Sequence, residues 1–174
     1  MKNIKDLIRT IPDFPKPGIQ FRDITTLFLD AEGSAQAIDE LVKMLDGVEF
    51  DALAGAEARG FILAAPMAYI MKKPFIPIRK AGKLPGETVG QSYDLEYGSA
   101  EIEVHKDAVH EGMKVVLVDD LLATGGTMAA GAKLFEKLGA EVVKVLFMIE
   151  LPELNGRKAL EGYDVESVVS FDGE

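Results

Sequence analysis

The sequence contains no cysteine, which excludes disulfide bonds and thiolate chemistry. A chain without cysteine fits a reducing compartment, so we expect a cytoplasmic protein. Its two histidines, His105 and His110, are too few for a histidine-rich metal site. No apolar run is long enough to span a bilayer, and the N-terminal segment lacks the apolar core of a signal peptide. We therefore expect no membrane partner.

Positive charge is also scarce, with 19 Lys and Arg against 29 Asp and Glu and a net charge of −10. Proteins that bind nucleic acid usually carry a basic patch or the opposite net charge, so no nucleic-acid partner is expected. A polyanionic substrate would have to be held by local cations and backbone dipoles against the overall field. The length of 174 residues predicts one domain with a sizeable core.

The most informative stretch is KVVLVDDLLATGGT at 114–127. Its apolar, β-branched beginning predicts a strand buried on both faces of a parallel sheet. Asp119 and Asp120 follow, and then a turn of small residues at 123–127. A helical pattern continues to about Leu138 and ends at Gly139, a suitable C-cap. The predicted order is therefore strand, acidic pair, glycine turn and helix.

This order has a chemical meaning. A glycine turn that opens a helix presents unpaired backbone N–H groups to an anion, and Gly125 and Gly126 allow a phosphate to approach closely. Carboxylates just before the turn can accept hydrogen bonds from vicinal hydroxyls. A ribose 5-phosphate satisfies both requirements. The stretch has neither the Walker A spacing nor the G-x-G-x-x-G of dinucleotide folds.

Strand and helix patterns alternate over 51–149, which predicts a doubly wound, mainly parallel α/β sheet flanked by helices. Two alternating segments, 92–97 and 100–105, interrupt this order with Gly98-Ser99 between them and predict an antiparallel hairpin. A hairpin just before the phosphate strand would stand over the carboxyl edge, where such sheets bind ligands. We therefore predict a hairpin lid over about 84–106.

The 114–127 stretch closely resembles the phosphoribosyl pyrophosphate (PRPP) motif of the type I phosphoribosyltransferases. Other segments resemble one family among them, the adenine phosphoribosyltransferases: DFPKPGIQFRDI at 13–24, EARGF at 57–61, RKAGKLPG at 79–86 and YDLEYG at 93–98. Together they cover nearly the whole chain. The resemblance implies a type I phosphoribosyltransferase fold with a small N-terminal hood over about 1–32. It also implies transfer of the phosphoribosyl group of PRPP to adenine, giving AMP and pyrophosphate.

The resemblance also implies the site. Asp119 and Asp120 would hold the ribose, and a loop would bind the 5-phosphate through Ala123, Thr124, Gly125, Gly126 and Thr127. Pyrophosphate would be bound by a turn that often contains a non-proline cis peptide and by nearby cations: Glu57, Ala58, Arg59, Gly60, Arg79, Lys80 and Lys83. Phe21 would stack on adenine, with backbone groups of Gln20 and Arg22 reading its edge. The lid would supply Glu96 as acid/base, beside Tyr97, while Arg59 and the two aspartates would complete the catalytic set.

The family resemblance further implies Mg²⁺ and a homodimer in which some basic residues cross to the partner. Mg²⁺ would be held mainly by PRPP and water, with no direct protein ligand. Two alternatives stay open. One keeps the fold and changes the base to hypoxanthine, guanine or xanthine. The other is a PRPP-sensing regulator that binds nucleic acid, which the acidic chain and the lack of a recognisable DNA-binding module in its first 50 or so residues disfavour.

Overall fold

The computed structural model describes residues 1–95 and 97–173. Short 3-10 turns lie at Ile4–Leu7, Lys106–Ala108 and Pro152–Leu154. The strands are β1 Arg9–Pro12, β2 Gln20–Asp23, β3 Ala52–Ala56, β4 Phe75–Lys80, β5 Thr88–Asp94, β6 Ser99–His105, β7 Lys114–Leu122, β8 Glu141–Glu150 and β9 Val165–Ser170. The helices are α1 Thr25–Phe28, α2 Ala31–Lys43, α3 Arg59–Met71, α4 Gly126–Lys137 and α5 Gly156–Ala159.

Within the described ranges the main sheet has seven strands in the order β5-β6-β4-β3-β7-β8-β9. The five strands from β4 to β9 in this order pair in parallel, while β6 pairs antiparallel with β4 and with β5. This arrangement confirms the doubly wound, mainly parallel sheet that the alternating pattern predicts. The chain leaves β3 toward β4 and leaves β7 toward β8, so the strand order reverses between β3 and β7.

Each buried strand contributes side chains to both faces of the sheet. In β7, Val115 and Leu117 pack in a hydrophobic cluster with α4, and Val116 and Val118 pack in a second cluster with α2 and α3. All four side chains are inaccessible to solvent. A strand enclosed on both faces can be apolar at every position, which explains its unbroken apolar run. The rigid centre of the fold therefore ends at the acidic pair.

The N-terminal region differs from its sequence pattern. The three prolines and the glycine of residues 11–23 are typical of an irregular loop. In the structure, however, β1 and β2 pair antiparallel, with Thr10 opposite Arg22 and Ile11 opposite Phe21. Proline is compatible with such a strand because this small sheet consists only of edges. Ser34 is of a residue type that suits a helix N-cap, but α2 already begins at Ala31. The cap is instead Asp30, whose carboxylate accepts a hydrogen bond of 2.7 Å from Gly33 N–H.

The predicted hairpin consists of β5 and β6, which pair along their length from Thr88 with His105 to Asp94 with Ser99. It is attached to the sheet through β6 and β4, and the Lys137 ammonium of α4 donates to the Gly90 carbonyl over 2.9 Å. None of the helices in the described residues is both long and apolar enough to cross a membrane.

Candidate active site

The acidic pair lies where β7 passes the end of β3. Pairing between these strands ends at Gly55 and Val118, whereas pairing of β7 with β8 continues to Leu122. Asp119 and Asp120 therefore occupy the point at which the strand order reverses, the usual ligand position in open α/β sheets. Burial of the Asp119 carboxyl and the nearby Asp120 carboxylate raise the pKa of Asp119 well above the usual aspartate value.

Asp120 is paired with a cation from the neighbouring helix. The Nε of Arg59, at the start of α3, donates to Asp120 Oδ2 over 2.5 Å. This hydrogen bond is the main cause of a raised pKa for Arg59, to which Asp119 and the hood residue Asp23 also contribute. Both predicted ribose carboxylates thus lie beside the predicted pyrophosphate cation.

The turn between β3 and α3 packs closely against β7. The peptide bond between Glu57 and Ala58 is cis, as the family resemblance leads one to expect. A Cβ atom added to Gly60 would lie 3.0 Å from the Val118 carbonyl oxygen and 3.2 Å from Asp119 Oδ1. Only a glycine fits this approach without displacing a neighbour. The turn and the acidic pair are therefore in direct contact.

Glu57 connects this turn to the basic end of β4. Its Oε1 accepts hydrogen bonds from Lys80 N–H over 2.6 Å and from the Nε of Arg79 over 3.3 Å. Burial raises the Glu57 pKa, but these two donors outweigh it, so the net shift is downward. A carboxylate held ionised in this way fixes Arg79 and the Lys80 backbone at the rim of the site.

The glycine turn after β7 leads into α4. Gly125 is the N-cap in a left-handed conformation, with φ of +82°, and no side chain of the described residues caps the helix. A Cβ atom on Gly125 would collide with the Gly156 carbonyl oxygen at the start of α5. The first amides of α4 are thus left for a ligand, and the helix dipole favours an anion.

The contact with Gly156 is supported from behind by an ion pair. The guanidinium of Arg157 binds the Glu150 carboxylate through two hydrogen bonds of 2.7 and 2.9 Å. Ser167 Oγ donates to the same carboxylate over 2.7 Å. The Arg157 hydrogen bond is the main cause of a lowered pKa for Glu150. This cluster fixes α5 against the turn that begins at Ala123.

These elements enclose two adjoining cavities at the carboxyl edge of the sheet. The larger, of about 450 Å³, is lined by Glu57, Ala58, Arg59, Arg79, Lys80, Asp119, Asp120 and Thr127, among others. The smaller, of about 80 Å³, is lined by the turn, Ala123, Thr124, Gly125, Gly126 and Thr127, together with Asp119, Leu121, Met128 and Phe147. The two cavities share Asp119, Leu121 and Thr127, so a ligand with an anion at each end can occupy both.

Several predicted site residues lie away from these cavities. Gln20, Phe21 and Arg22 are half-buried in β2 and line neither cavity; the Phe21 ring contacts that of Phe14, with centroids 5.2 Å apart. Lys83 is exposed beyond β4. Tyr97 is 78% exposed, and its ring centre lies 5.4 Å from Lys16 Nζ of the hood. Glu96 is outside the described residues.

The structure adds one residue that the motifs did not identify. Tyr93 lines the larger cavity from β5, its hydroxyl is 3.4 Å from Thr127 Oγ1, and its ring is the nearest group to a Cβ built on Gly126. It packs against the core below with Val89, four residues earlier on the same face of the strand. That period-2 spacing was the available signal, because it places Tyr93 on the inner face of the hairpin.

Comparisons with known proteins agree with the fold. The family model described as the phosphoribosyl transferase domain matches residues 25–171. The adenine phosphoribosyltransferase of Agathobacter rectalis is 64% identical over 174 residues, the full length of both chains. The crystal structure of adenine phosphoribosyltransferase from Thermoanaerobacter pseudethanolicus has a TM-score of 0.94 at 54% identity, over 97% of this chain and 98% of that one.

A more distant structure includes ligands. The adenine phosphoribosyltransferase of Saccharomyces cerevisiae, complexed with adenine and a dideoxy-imino-altritol 1,6-bisphosphate, has a TM-score of 0.90 at 36% identity. The match covers 95% of this chain and 96% of the yeast chain. The crystal structure of that protein contains the bisphosphate compound together with adenine.

Proposed function

This chain belongs to the adenine phosphoribosyltransferase family, and from that premise we propose how its site transfers the phosphoribosyl group of PRPP to adenine. The products are AMP and pyrophosphate, and the reaction salvages a free purine. One observation supports this function most directly. The acidic pair, the 5-phosphate loop and the Arg59 turn line two connected cavities at the point where the strand order reverses.

PRPP spans both cavities in this proposal. The 5-phosphate occupies the smaller one, where the amides at the start of α4 and the hydroxyls of Thr124 and Thr127 are the donors. The ribose lies over Asp119 and Asp120, which accept hydrogen bonds from its two free hydroxyls. Tyr93 closes the side of this cavity that faces the hairpin.

The pyrophosphate occupies the larger cavity. Arg59 and the amides of the Glu57–Gly60 turn bind it, and Arg79, Lys80 and Lys83 add positive charge at the rim. These cations stabilise the negative charge that develops on the leaving group. The carboxylates of Asp119 and Asp120 stabilise the electron-poor sugar from the other side.

Adenine enters from the hood. Phe21 provides the aromatic face on which the purine stacks, and backbone groups of Gln20 and Arg22 read its edge. In the structure β2 lies near the site, since Asp23 at its end contributes to the raised pKa of Arg59. The hairpin closes over the base, excludes water and delivers Glu96 as the group that exchanges a proton with it.

We also propose Mg²⁺ as the cofactor. Carboxylate oxygens of Glu57, Asp119 and Asp120 line the larger cavity, and hard oxygen donors suit this ion. The described residues contain no cluster of three or more acidic, histidine or cysteine side chains arranged to hold a metal. In this proposal PRPP and water hold the ion for the most part, and when bound it would neutralise pyrophosphate charge.

A homodimer is proposed from the outer face of α3. Ile62, Tyr69 and Ile70 are 47%, 86% and 48% exposed, and they extend along a helix whose other side is in the core. Such an apolar stripe is costly in water and suits a second copy of the chain. Sedimentation velocity tests this assignment: a species of twice the chain mass supports it, and a monomer at micromolar concentration contradicts it.

The choice of base is tested with a panel. Purified protein is incubated with PRPP, Mg²⁺ and, separately, adenine, hypoxanthine, guanine or xanthine, and nucleotide is measured by chromatography. AMP formation with adenine alone is the expected result. Nucleotide formed from one of the other bases instead would show that this base, and not adenine, is the substrate. PRPP binding without any product would favour a PRPP-sensing regulator. Fractionation of cells tests the cytoplasmic location.

A further inference from the structure

Two neighbouring hood residues, Phe21 and Arg22, lie side by side in β2. Their side chains therefore extend to opposite faces of the strand. The Arg22 guanidinium carbon lies 4.6 Å above the ring centre of Phe171, in the segment that follows β9. Its Nη2 donates to the Gly173 carbonyl over 3.2 Å, and its Nη1 donates to Thr10 Oγ1 over 2.5 Å. Arg22 thus connects both hood strands to the end of the sheet.

Phe171 is a fixed partner for this contact. Its ring is 8% exposed and belongs to the hydrophobic cluster of α2 and α3, and its N–H donates to the Glu150 carbonyl over 3.0 Å. Gly173 N–H is held in turn by Glu153 Oε1, also at 3.0 Å. The segment after β9 is therefore part of the same rigid unit as β8, which ends beside the phosphate loop.

The hood sheet needs such an attachment. Its two strands share four residue pairs, and an isolated two-stranded sheet is marginally stable in water. A cation–π contact and a hydrogen bond to the main sheet restrict where β2 can lie. Because Phe21 follows the same backbone, restricting Arg22 also restricts the aromatic face on the opposite side of the strand.

We infer that the Arg22 side chain, stacked on Phe171, is a positioning residue that places Phe21 for the purine base. The inference rests on the proposed function, because it presumes that Phe21 stacks on adenine. The guanidinium itself touches neither substrate. Its contribution reaches the base only through the strand, so it should affect adenine and leave PRPP, which is bound at β7 and α4, unaffected.

The test compares Arg22→Met with Lys5→Met. Lys5 Nζ lies 4.8 Å from the centre of the same Phe171 ring but belongs to the N-terminal 3-10 turn rather than to β2. Both variants therefore lose a cation–π contact with one ring. We expect Arg22→Met to raise KM for adenine by about 2- to 30-fold, with KM for PRPP unchanged. Lys5→Met should leave both constants unchanged.

A second pair of variants tests whether the aromatic ring of Phe171 is needed. Phe171→Leu keeps an apolar side chain but removes the aromatic face, and should raise KM for adenine as Arg22→Met does. Phe171→Tyr keeps the face and should restore the wild-type value. The Arg22→Met/Phe171→Leu double variant should resemble Arg22→Met alone, since Arg22→Met already removes the cation–π contact along with the hydrogen bonds of the guanidinium. If Arg22→Met fails to fold, this ring pair decides the matter.

Three outcomes would overturn the inference: equal effects of Arg22→Met and Lys5→Met, a parallel rise in KM for PRPP, or loss of thermal stability with both constants unchanged. Phe21→Ala separates this failure from a failure of the proposed function. If Phe21→Ala raises KM for adenine and Arg22→Met does not, only the positioning role is wrong. If Phe21→Ala leaves KM for adenine unchanged, the proposed stacking of Phe21 on adenine is itself wrong.

Discussion

Arg59 Nε lies 2.5 Å from Asp120 Oδ2, so the cation that we propose for pyrophosphate is paired with the carboxylate that we propose for ribose. Arg59 begins α3 and Asp120 lies near the end of β7, 61 positions later in the sequence. In the proposed site, the pyrophosphate of PRPP would compete with Asp120 for the guanidinium, and the ribose would compete with Arg59 for the carboxylate. The ion pair therefore fixes both side chains before PRPP binds. It would have to break when the pyrophosphate or the ribose takes its place, and this lowers the affinity for each.

This pairing predicts an effect of Asp120→Asn on pyrophosphate. Asn keeps the shape and removes the charge, so Arg59 becomes freer for an anionic ligand. Pyrophosphate with Mg²⁺ should bind about 2- to 5-fold more tightly, the range expected for a partly exposed ion pair. Titration calorimetry measures the dissociation constant. The gain should vanish in Asp120→Asn/Arg59→Met, and unchanged or weaker binding to Asp120→Asn itself would contradict the pairing.

The two glycines of the phosphate loop should respond differently to alanine. A Cβ atom on Gly126 meets nothing closer than 3.7 Å, so Gly126→Ala should fold normally while crowding the phosphate. We expect AMP affinity to fall about 10- to 100-fold, as for loss of a hydrogen bond to a charged group. Calorimetry with AMP provides the test, and wild-type affinity would remove the loop from the phosphate site.

Gly125→Ala is the structural counterpart. Its φ of +82° and the collision with Gly156 should destabilise the fold by about 1–3 kcal/mol. A thermal unfolding scan should place its midpoint below that of Gly126→Ala, and the reverse order would contradict the geometry described for the turn.

The raised pKa of Asp119 predicts that the stability of the protein depends on pH. A carboxyl whose pKa is raised by folding stabilises the native state fully below its unfolded pKa, and this contribution is lost as the pH rises through the raised value. Asp119→Asn avoids the loss and retains an oxygen for the Asp120 N–H, which donates over 2.8 Å. The variant should therefore be more stable than wild type near neutral pH, by about 1.4 kcal/mol per unit of raised pKa.

Urea unfolding at a series of pH values measures this difference. The advantage of Asp119→Asn should shrink toward zero as the pH falls to the ordinary aspartate range of about 4. An advantage that is constant with pH, or a variant less stable than wild type at neutral pH, would contradict the assignment of burial and charge repulsion to this carboxyl.

Glu96 is assigned from the sequence motif, since it lies outside the described residues. If it exchanges a proton with the base, Glu96→Gln should lower kcat by about 10²- to 10⁴-fold with little change in PRPP affinity. Glu101, on β6 of the same hairpin, is an exposed strand residue and the matched control. Glu101→Gln should be nearly silent. Equal effects in steady-state assays would leave the hairpin with a covering role only.

Local patterns predicted the centre of the molecule well. The apolar run before Asp119, the glycines after it and the helix ending before Gly139 are all contiguous in sequence, and each was found where the pattern indicates. Buried strands and glycine turns depend on neighbouring residues, so a single sequence is enough to recognise them.

Features that depend on distant partners were not predictable in this way. The pairing of β1 with β2 joins two short segments on either side of a loop that contains Pro15 and Pro17, and neither segment has a clear strand pattern alone. The contacts of Arg59 with Asp120 and of Arg22 with Phe171 join residues 61 and 149 positions apart. Sequence spacing contains no information on such pairs; only the folded sheet brings them together.

We propose that the phosphoribosyl group passes from PRPP to adenine at the site around Asp119 and Asp120. The most direct measurement follows AMP and pyrophosphate together, from adenine, PRPP and Mg²⁺, for the wild type and for the Asp119→Asn/Asp120→Asn variant. Equimolar AMP and pyrophosphate are expected from the wild type, and the variant should have a kcat lower by about 10²-fold or more. Near wild-type turnover by the variant, or pyrophosphate release without AMP, would rule out the transfer at this site.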